Sequence, residues 1–153
     1  MKKLCDLCKE MDVSMYSLAI LDNHVHFLLQ TQEKNKEKEF IRRFAGGTAR
    51  EINQLNGKTG TFWNRYFAWL ITDETAYYNV SAYILGNPLR HGLVKDFDEL
   101  YDYPYSDFRK YCELHGREAV EEKILAVLKI KNTKNEDEFF EWLNIRRKVE
   151  IPE

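Results

Sequence analysis

Two histidines two residues apart, His24 and His26, stand inside "LDNHVHFLLQ" (residues 21–30), a run that otherwise reads as a buried strand. Side chains of a strand alternate between faces, so both imidazoles point one way while Val25 points the other. Both can then reach one small object: a metal ion, a phosphate or solvent. Further along, Tyr83 and Asn87 are four apart in a stretch of helical character and share one face, a turn from each other. If that face packs against the histidine side of the sheet, two imidazoles, a carboxamide and a phenol meet. Two neutral imidazoles and an amide oxygen make a three-ligand site with open positions for water and a phosphate oxygen. Imidazole alone suits zinc or copper, whereas the amide oxygen and a phosphate substrate favour magnesium or manganese. Such a cation would polarise a phosphodiester, and Tyr83 would be placed to attack it as a covalent nucleophile. A structural alternative stands on the same spacing: a hydrogen-bonded histidine pair in a strand and a core tyrosine in an amphipathic helix.

The elements that must position these groups follow from pattern and punctuation. Residues 2–12 read as a short amphipathic helix, 13–21 ("VSMYSLAIL") as a strand, Asp22–Asn23 as a turn, and "HVHFLLQT" as a second strand. Two apolar runs joined by an Asp-Asn pair predict an antiparallel hairpin. Residues 33–54 read as a helix with Phe40, Ile41, Phe44 and Ile52 on its apolar side and a weak point at Gly46–Gly47. "TFWNRYFAWLIT" at 61–72 is aromatic and strand-like. Thr72 is the expected cap of a helix that begins with Asp73 and Glu74 and stops near residue 87, before Pro88. An aromatic loop and helix at 101–116, a helix at 117–130, a polar break and a last helix "EFFEWLNIRRKV" complete the chain. A leading hairpin with interspersed helices predicts an α+β sandwich rather than a parallel sheet.

At 153 residues the chain is one domain's worth, long enough to bury a core. Its net charge of −2 creates no global basic field of the kind that announces nucleic acid. The distribution is uneven: residues 33–50 carry Lys34, Lys36, Lys38, Arg42, Arg43 and Arg50, while residues 96–107 carry Asp96, Asp98, Glu99, Asp102 and Asp107 and no basic side chain. The basic stretch suits either phosphate contact or a solvated helix face laced with charge pairs. Three cysteines and no leader pattern predict a reducing, cytoplasmic setting, and no apolar run is long enough to span a membrane. Cys5, Cys8, Cys112 and His115 have spacing open to a zinc site, but the helical recurrence of Leu4, Leu7, Cys8 and Met11 reads Cys8 as core.

Beyond spacing, "DNHVHFLL" resembles the signature of the single-tyrosine HUH transposases, and "YILGNPLRHGLV" at 83–94 resembles their Y-I-x-x-N-P-x-R-x-G-L-V segment. "GTFWNRYFAWLI" between them is similar to the family's G-x-x-W-x-x-x-Y strand, and the group most resembled is the REP-associated tyrosine transposases. The resemblance covers roughly residues 5–112 and implies a ferredoxin-like antiparallel sheet with helices packed on it, the HVH strand at its centre. It implies Mg2+ or Mn2+ held by His24, His26 and Asn87, with Tyr83 as nucleophile and Arg90 at a family position suited to DNA phosphate. It further implies hairpin-bearing single-stranded DNA as substrate, a 5′-phosphotyrosine intermediate, and a monomer or homodimer. Tyr77 and Tyr78 are rival nucleophiles off the motif position, and Trp63 and Tyr66 are candidates either for stacking bases or for core.

The expected layout is a transposase domain at 1–115 followed by a helical extension at 116–153. Relatives begin with a further strand, so Met1 falls inside the first helix and the sheet is expected without its first strand. Asp22 stands where relatives carry proline, and His91 where they carry a small residue. Two further readings stand, the first favoured by the missing strand and the second by the net charge of −2. One is a catalytically silent module that binds hairpin DNA; the other is a metal-binding interaction domain without a DNA role.

Overall fold

The computed structural model describes residues 2–64 and 66–130, so the helix expected at 138–149 lies outside the described residues. The architecture is α+β, as the patterning predicts. In chain order it runs α1 (Lys2–Glu10), β1 (Val13–Ile20), β2 (Val25–Thr31), α2 (Lys36–Leu55), α3 (Glu74–Arg90), α4 (Phe97–Asp102), α5 (Phe108–His115) and α6 (Arg117–Ile130). Strands β1 and β2 pair as a two-stranded sheet. Their connection is the expected tight turn, closed by the Leu21 N–H donating to the His24 carbonyl at 2.9 Å. The described residues divide into two compact units, residues 2–15 with 29–66, and residues 16–28 with 67–130.

In the first unit α1 packs on α2, with Leu4, Met11, Val13 and Phe40 buried. Gly46–Gly47 does not interrupt α2. Both glycines are open to solvent with nothing near a Cβ position, so the cost is conformational entropy alone, which the rest of a twenty-residue helix tolerates. Much of the basic character of this helix is matched locally: Arg42 pairs with Glu39, Arg43 with Glu10, and Lys36 with Glu33. Trp63 lies against Phe44 and donates its indole N–H to the Thr48 hydroxyl at 2.8 Å, a packing role rather than an open stacking platform. The strand expected at 61–72 does not form among the described residues of this segment, which show a single bridging position at Trp69. β-propensity alone does not set the length of a ladder, which depends on the pairing available in the fold.

The second unit is built around α3, which is buried on all sides from Asn79 to Pro88. Its surroundings are Ala19, Leu21 and Leu28 from the hairpin, Leu100, Phe108 and Tyr111 from α4 and α5, and Ile124 and Val127 from α6. An apolar girdle of this kind marks an enclosed helix, not the amphipathic one its spacing suggested. Asp73 caps it, its carboxylate accepting from the Ala76 N–H at 2.8 Å, so the cap falls one residue later than Thr72. The helix also runs through Pro88 to Arg90. Pro88 brings no N–H to the carbonyl of Ile84 one turn back, yet the end is closed by the His91 N–H to the Asn87 carbonyl and the Leu93 N–H to the Pro88 carbonyl, both at 2.9 Å. Gly86 permits a close approach of α6: a Cβ there would lie 2.7 Å from Cγ2 of Ile124. The segment 103–107 lies along β1, with the Ile20 N–H donating to the Tyr105 carbonyl at 2.9 Å and the Asp107 N–H to the Leu18 carbonyl at 3.1 Å.

Candidate active site

The hairpin supplies the histidines. His24 ends the turn and His26 lies in β2; their rings meet edge to face with centroids 4.9 Å apart, the same-side placement expected of alternate residues. Asn23 adds a contact that the spacing did not single out: the Nδ1–H of His24 donates to its side-chain oxygen at 2.6 Å. A proton on Nδ1 leaves the lone pair on Nε2, the arrangement typical of an imidazole ligand. The Asn-His adjacency was the one available signal for it.

Helix α3 supplies the remaining groups. The Tyr83 ring packs against His26, centroids 5.7 Å apart, and is 0% exposed. Its hydroxyl accepts from Nη1 of Arg90 at 2.8 Å, and the Arg90 guanidinium carbon lies 5.6 Å from the ring centroid. Asn87 is fully buried, its amide N–H donating to the Tyr83 carbonyl at 2.8 Å while its oxygen faces the same Nη1 of Arg90 at 3.4 Å. This geometry depends on the continuation of α3 past Pro88. Residues seven apart lie almost two full turns along a helix and therefore share a face, so Arg90 returns over Tyr83 only because the last turn is helical. His91 follows as the closing residue, its ring 5.0 Å from that of His24.

The rival tyrosines stand elsewhere. Tyr77 contacts the Tyr16 ring at 5.5 Å and its hydroxyl lies 3.5 Å from that of Tyr111. Burial, reinforced by this neighbour, pushes its phenol upward, away from the ionised form a nucleophile needs. Tyr78 is 46% exposed and packs on the Tyr77 ring. Within the described contacts it is Tyr83 that meets both a histidine and an arginine.

The donor set bears on metal binding. Among the described residues no group of three or more His, Cys, Asp or Glu is gathered as a metal site, so the zinc set of Cys5, Cys8, Cys112 and His115 is not assembled. A divalent cation would rely on two imidazoles and the carboxamide oxygen of Asn87, without a carboxylate. The convergence of His24 and His26 fits that use. Among the described contacts the amide oxygen meets Arg90 at 3.4 Å rather than an imidazole, so its use as a ligand requires that long bond to be given up. With three neutral ligands and a guanidinium alongside, the charge needed to retain a hard cation would have to come from a phosphate. No helix among the described residues is long and apolar enough to cross a membrane.

Comparison with known proteins bears on the family. In an alignment 115 positions long that covers 67% of this chain, it is 29% identical to a Haemophilus influenzae protein that carries the provisional name REP-associated tyrosine transposase. The aligned region is 63% of that relative's length. No solved structure gives a significant match. The sequence profile described as "Transposase IS200 like" matches residues 1–87, more than half of the 153, and takes in the histidine pair, Tyr83 and Asn87. By that match the chain belongs to the IS200-like transposase family.

Proposed function

We propose that this chain is a metal-dependent single-strand DNA endonuclease–transposase acting on hairpin-bearing DNA through Tyr83. The observation that carries the proposal is the grip on the Tyr83 hydroxyl by Arg90, with the same ring set against His26. In the reaction Tyr83 Oη bonds to phosphorus, the bond from phosphorus to the 3′ oxygen breaks, and that oxygen leaves as a hydroxyl with a proton from solvent. The phenol proton passes to water, and the 5′ phosphate remains esterified to Tyr83, so the linkage energy is kept for rejoining. A bound Mg2+ or Mn2+, held by His24, His26 and Asn87, would supply stabilisation of the charge that develops on the phosphate. Arg90 is assigned to the DNA phosphate, whose oxygens match a guanidinium fork. The catalytic module is assigned to residues 1–115, followed by α6 and a remainder that lies outside the described residues, acting as a monomer or homodimer in the cytoplasm, where the three free cysteines remain reduced.

Covalent capture tests this. The protein is mixed with 5′- and 3′-labelled hairpin oligonucleotides carrying randomised flanks, with Mn2+ or with chelator, and resolved on a denaturing gel. A Mn2+-dependent protein–DNA band that disappears in Tyr83→Phe and in His24→Ala is expected. The complete burial of Tyr83 favours one other reading, a module that binds hairpins without cutting them. Tight hairpin binding with no adduct under any condition would select it.

A further inference from the structure

One nitrogen of Arg90 faces two oxygens that the proposed reaction needs elsewhere. Nη1 lies 2.8 Å from the hydroxyl of Tyr83 and 3.4 Å from the carboxamide oxygen of Asn87. The first oxygen must be turned toward phosphorus and the second must face a cation. We propose that Arg90 is a positioning residue that latches the nucleophile and the third metal ligand together at rest, and releases both only when cation and phosphate arrive jointly. The inference rests on the reading of Tyr83 as nucleophile and of His24, His26 and Asn87 as ligands.

The physical reasoning is electrostatic. A guanidinium keeps its charge, so it cannot make room for a dication by losing a proton. A cation at the Asn87 oxygen and Arg90 at the same oxygen are two like charges competing for one acceptor. A cation seated at that oxygen stands close to the Arg90 charge, so cation alone binds against it. A DNA phosphate changes the balance twice: it gives the guanidinium a bidentate acceptor and gives the cation an anionic ligand. Arg90 leaves Asn87 for the phosphate, and the Tyr83 hydroxyl is freed in the same movement. Cation and DNA therefore strengthen each other's binding, and linkage makes that effect reciprocal.

Mn2+ binding, read from the electron paramagnetic resonance signal of the free ion, tests the latch without reference to cleavage. The probes are Mn2+ alone and Mn2+ with the hairpin pool, on the full chain and on Arg90→Met and Arg90→Lys. In the unaltered protein the hairpin pool is expected to tighten Mn2+ binding at least ~5-fold, within the usual range of coupling between sites. Arg90→Met is expected to bind Mn2+ alone roughly 5-fold more tightly, to lose most of the DNA-induced gain, and to form adduct more slowly at saturating Mn2+. Arg90→Lys, which keeps the charge but not the fork, should retain the weak binding of Mn2+ alone. A purely structural arginine would not produce tighter metal binding together with a slower reaction. Mn2+ affinity in Arg90→Met equal to or weaker than that of the unaltered protein overturns the latch. Should Arg90→Met not fold, as judged by circular dichroism, absence of the DNA-induced gain in the unaltered protein, or Mn2+ binding alone tightened in Arg90→Lys, overturns it instead. If the Mn2+ effects hold while no protein forms an adduct, the latch stands and the assignment of catalysis to Tyr83 fails; if adduct forms without the Mn2+ effects, the reverse holds.

Discussion

Gly86 is the position where α3 and α6 come closest, and Gly86→Ala turns that approach into a quantity. The added methyl would meet Cγ2 of Ile124 at 2.7 Å and Cδ1 of Leu128 at 3.4 Å. Carbon atoms rest at about 3.5–4.0 Å, so the first contact is roughly 1 Å too close. Ile124 is fully buried and its Cγ2 hangs from a β-branched carbon with a stiff first torsion, so it cannot swing aside. Overpacking of this kind costs about 1–3 kcal/mol. Against it stands the gain from replacing glycine inside a helix, about 0.8–1.0 kcal/mol. The expected net loss is about 1 kcal/mol, equivalent to about 2–4 °C in Tm for a chain of this size. Ile124→Leu removes the offending methyl from Cβ while keeping the volume, at a cost of less than about 1.5 kcal/mol. In that background Gly86→Ala should be neutral or stabilising. Urea denaturation of the four proteins closes the double-mutant cycle, with an expected coupling of about 1–2 kcal/mol. A Gly86→Ala protein more stable than the parent, or the same effect of the alanine in both backgrounds, would refute the close approach.

Two other positions give direct tests. Asp73→Ala removes the carboxylate that caps α3 at the Ala76 N–H and should cost about 0.5–2 kcal/mol in urea denaturation, with Asp73→Ser restoring most of it; equal losses for both would deny the capping role. Asp107 titrates above the usual carboxylate range, mainly because burial opposes its charge, with the Lys110 ammonium and a backbone hydrogen bond from Leu18 pulling the other way. The folded chain then holds this proton more tightly than the unfolded one, so stability is lost as pH rises from the ordinary carboxylate value through the raised one. Asp107→Asn should accordingly be favoured over the parent near pH 7 and lose that advantage below about pH 4, where the parent carboxyl is protonated as well. A difference in urea midpoint that does not change with pH would contradict the burial of this charge.

Much of the frame was legible in the chain because local rules and tertiary packing agreed there. Strand alternation put His24 and His26 on one side, and the Asp22–Asn23 turn closed where the apolar runs broke. The α2 and α6 ranges followed from periodicity within a residue or a few. Sequence reasoning failed where the outcome depended on a distant neighbour. The 61–72 stretch has the composition of a strand, but among its described residues only a bridge at Trp69 forms, because pairing is set by the fold and not by composition. Pro88 reads as a stop, yet the packing around α3 holds the turn beyond it, and that turn brings Arg90 back to Tyr83. The face-sharing of Tyr83 and Asn87 was visible from their spacing; the competition of Arg90 for both of their oxygens was not, since it depends on rotamers.

The segment that lies along β1 has a bearing on how this protein behaves in concentrated solution. Tyr105 and Asp107 bond inward to Ile20 and Leu18. Ser106, bridged to Ala19 between those two bonds, turns its own N–H and carbonyl outward, and the exposed Pro104 lies two residues before it. Pro104 has no N–H to offer an incoming strand. The second row thus covers β1 along Leu18–Ile20 while giving the next chain a poor template, a safeguard against strand-by-strand self-association of the kind open sheet edges invite. Replacing Pro104 would remove a guard against aggregation, even where it left the folded chain as stable as before.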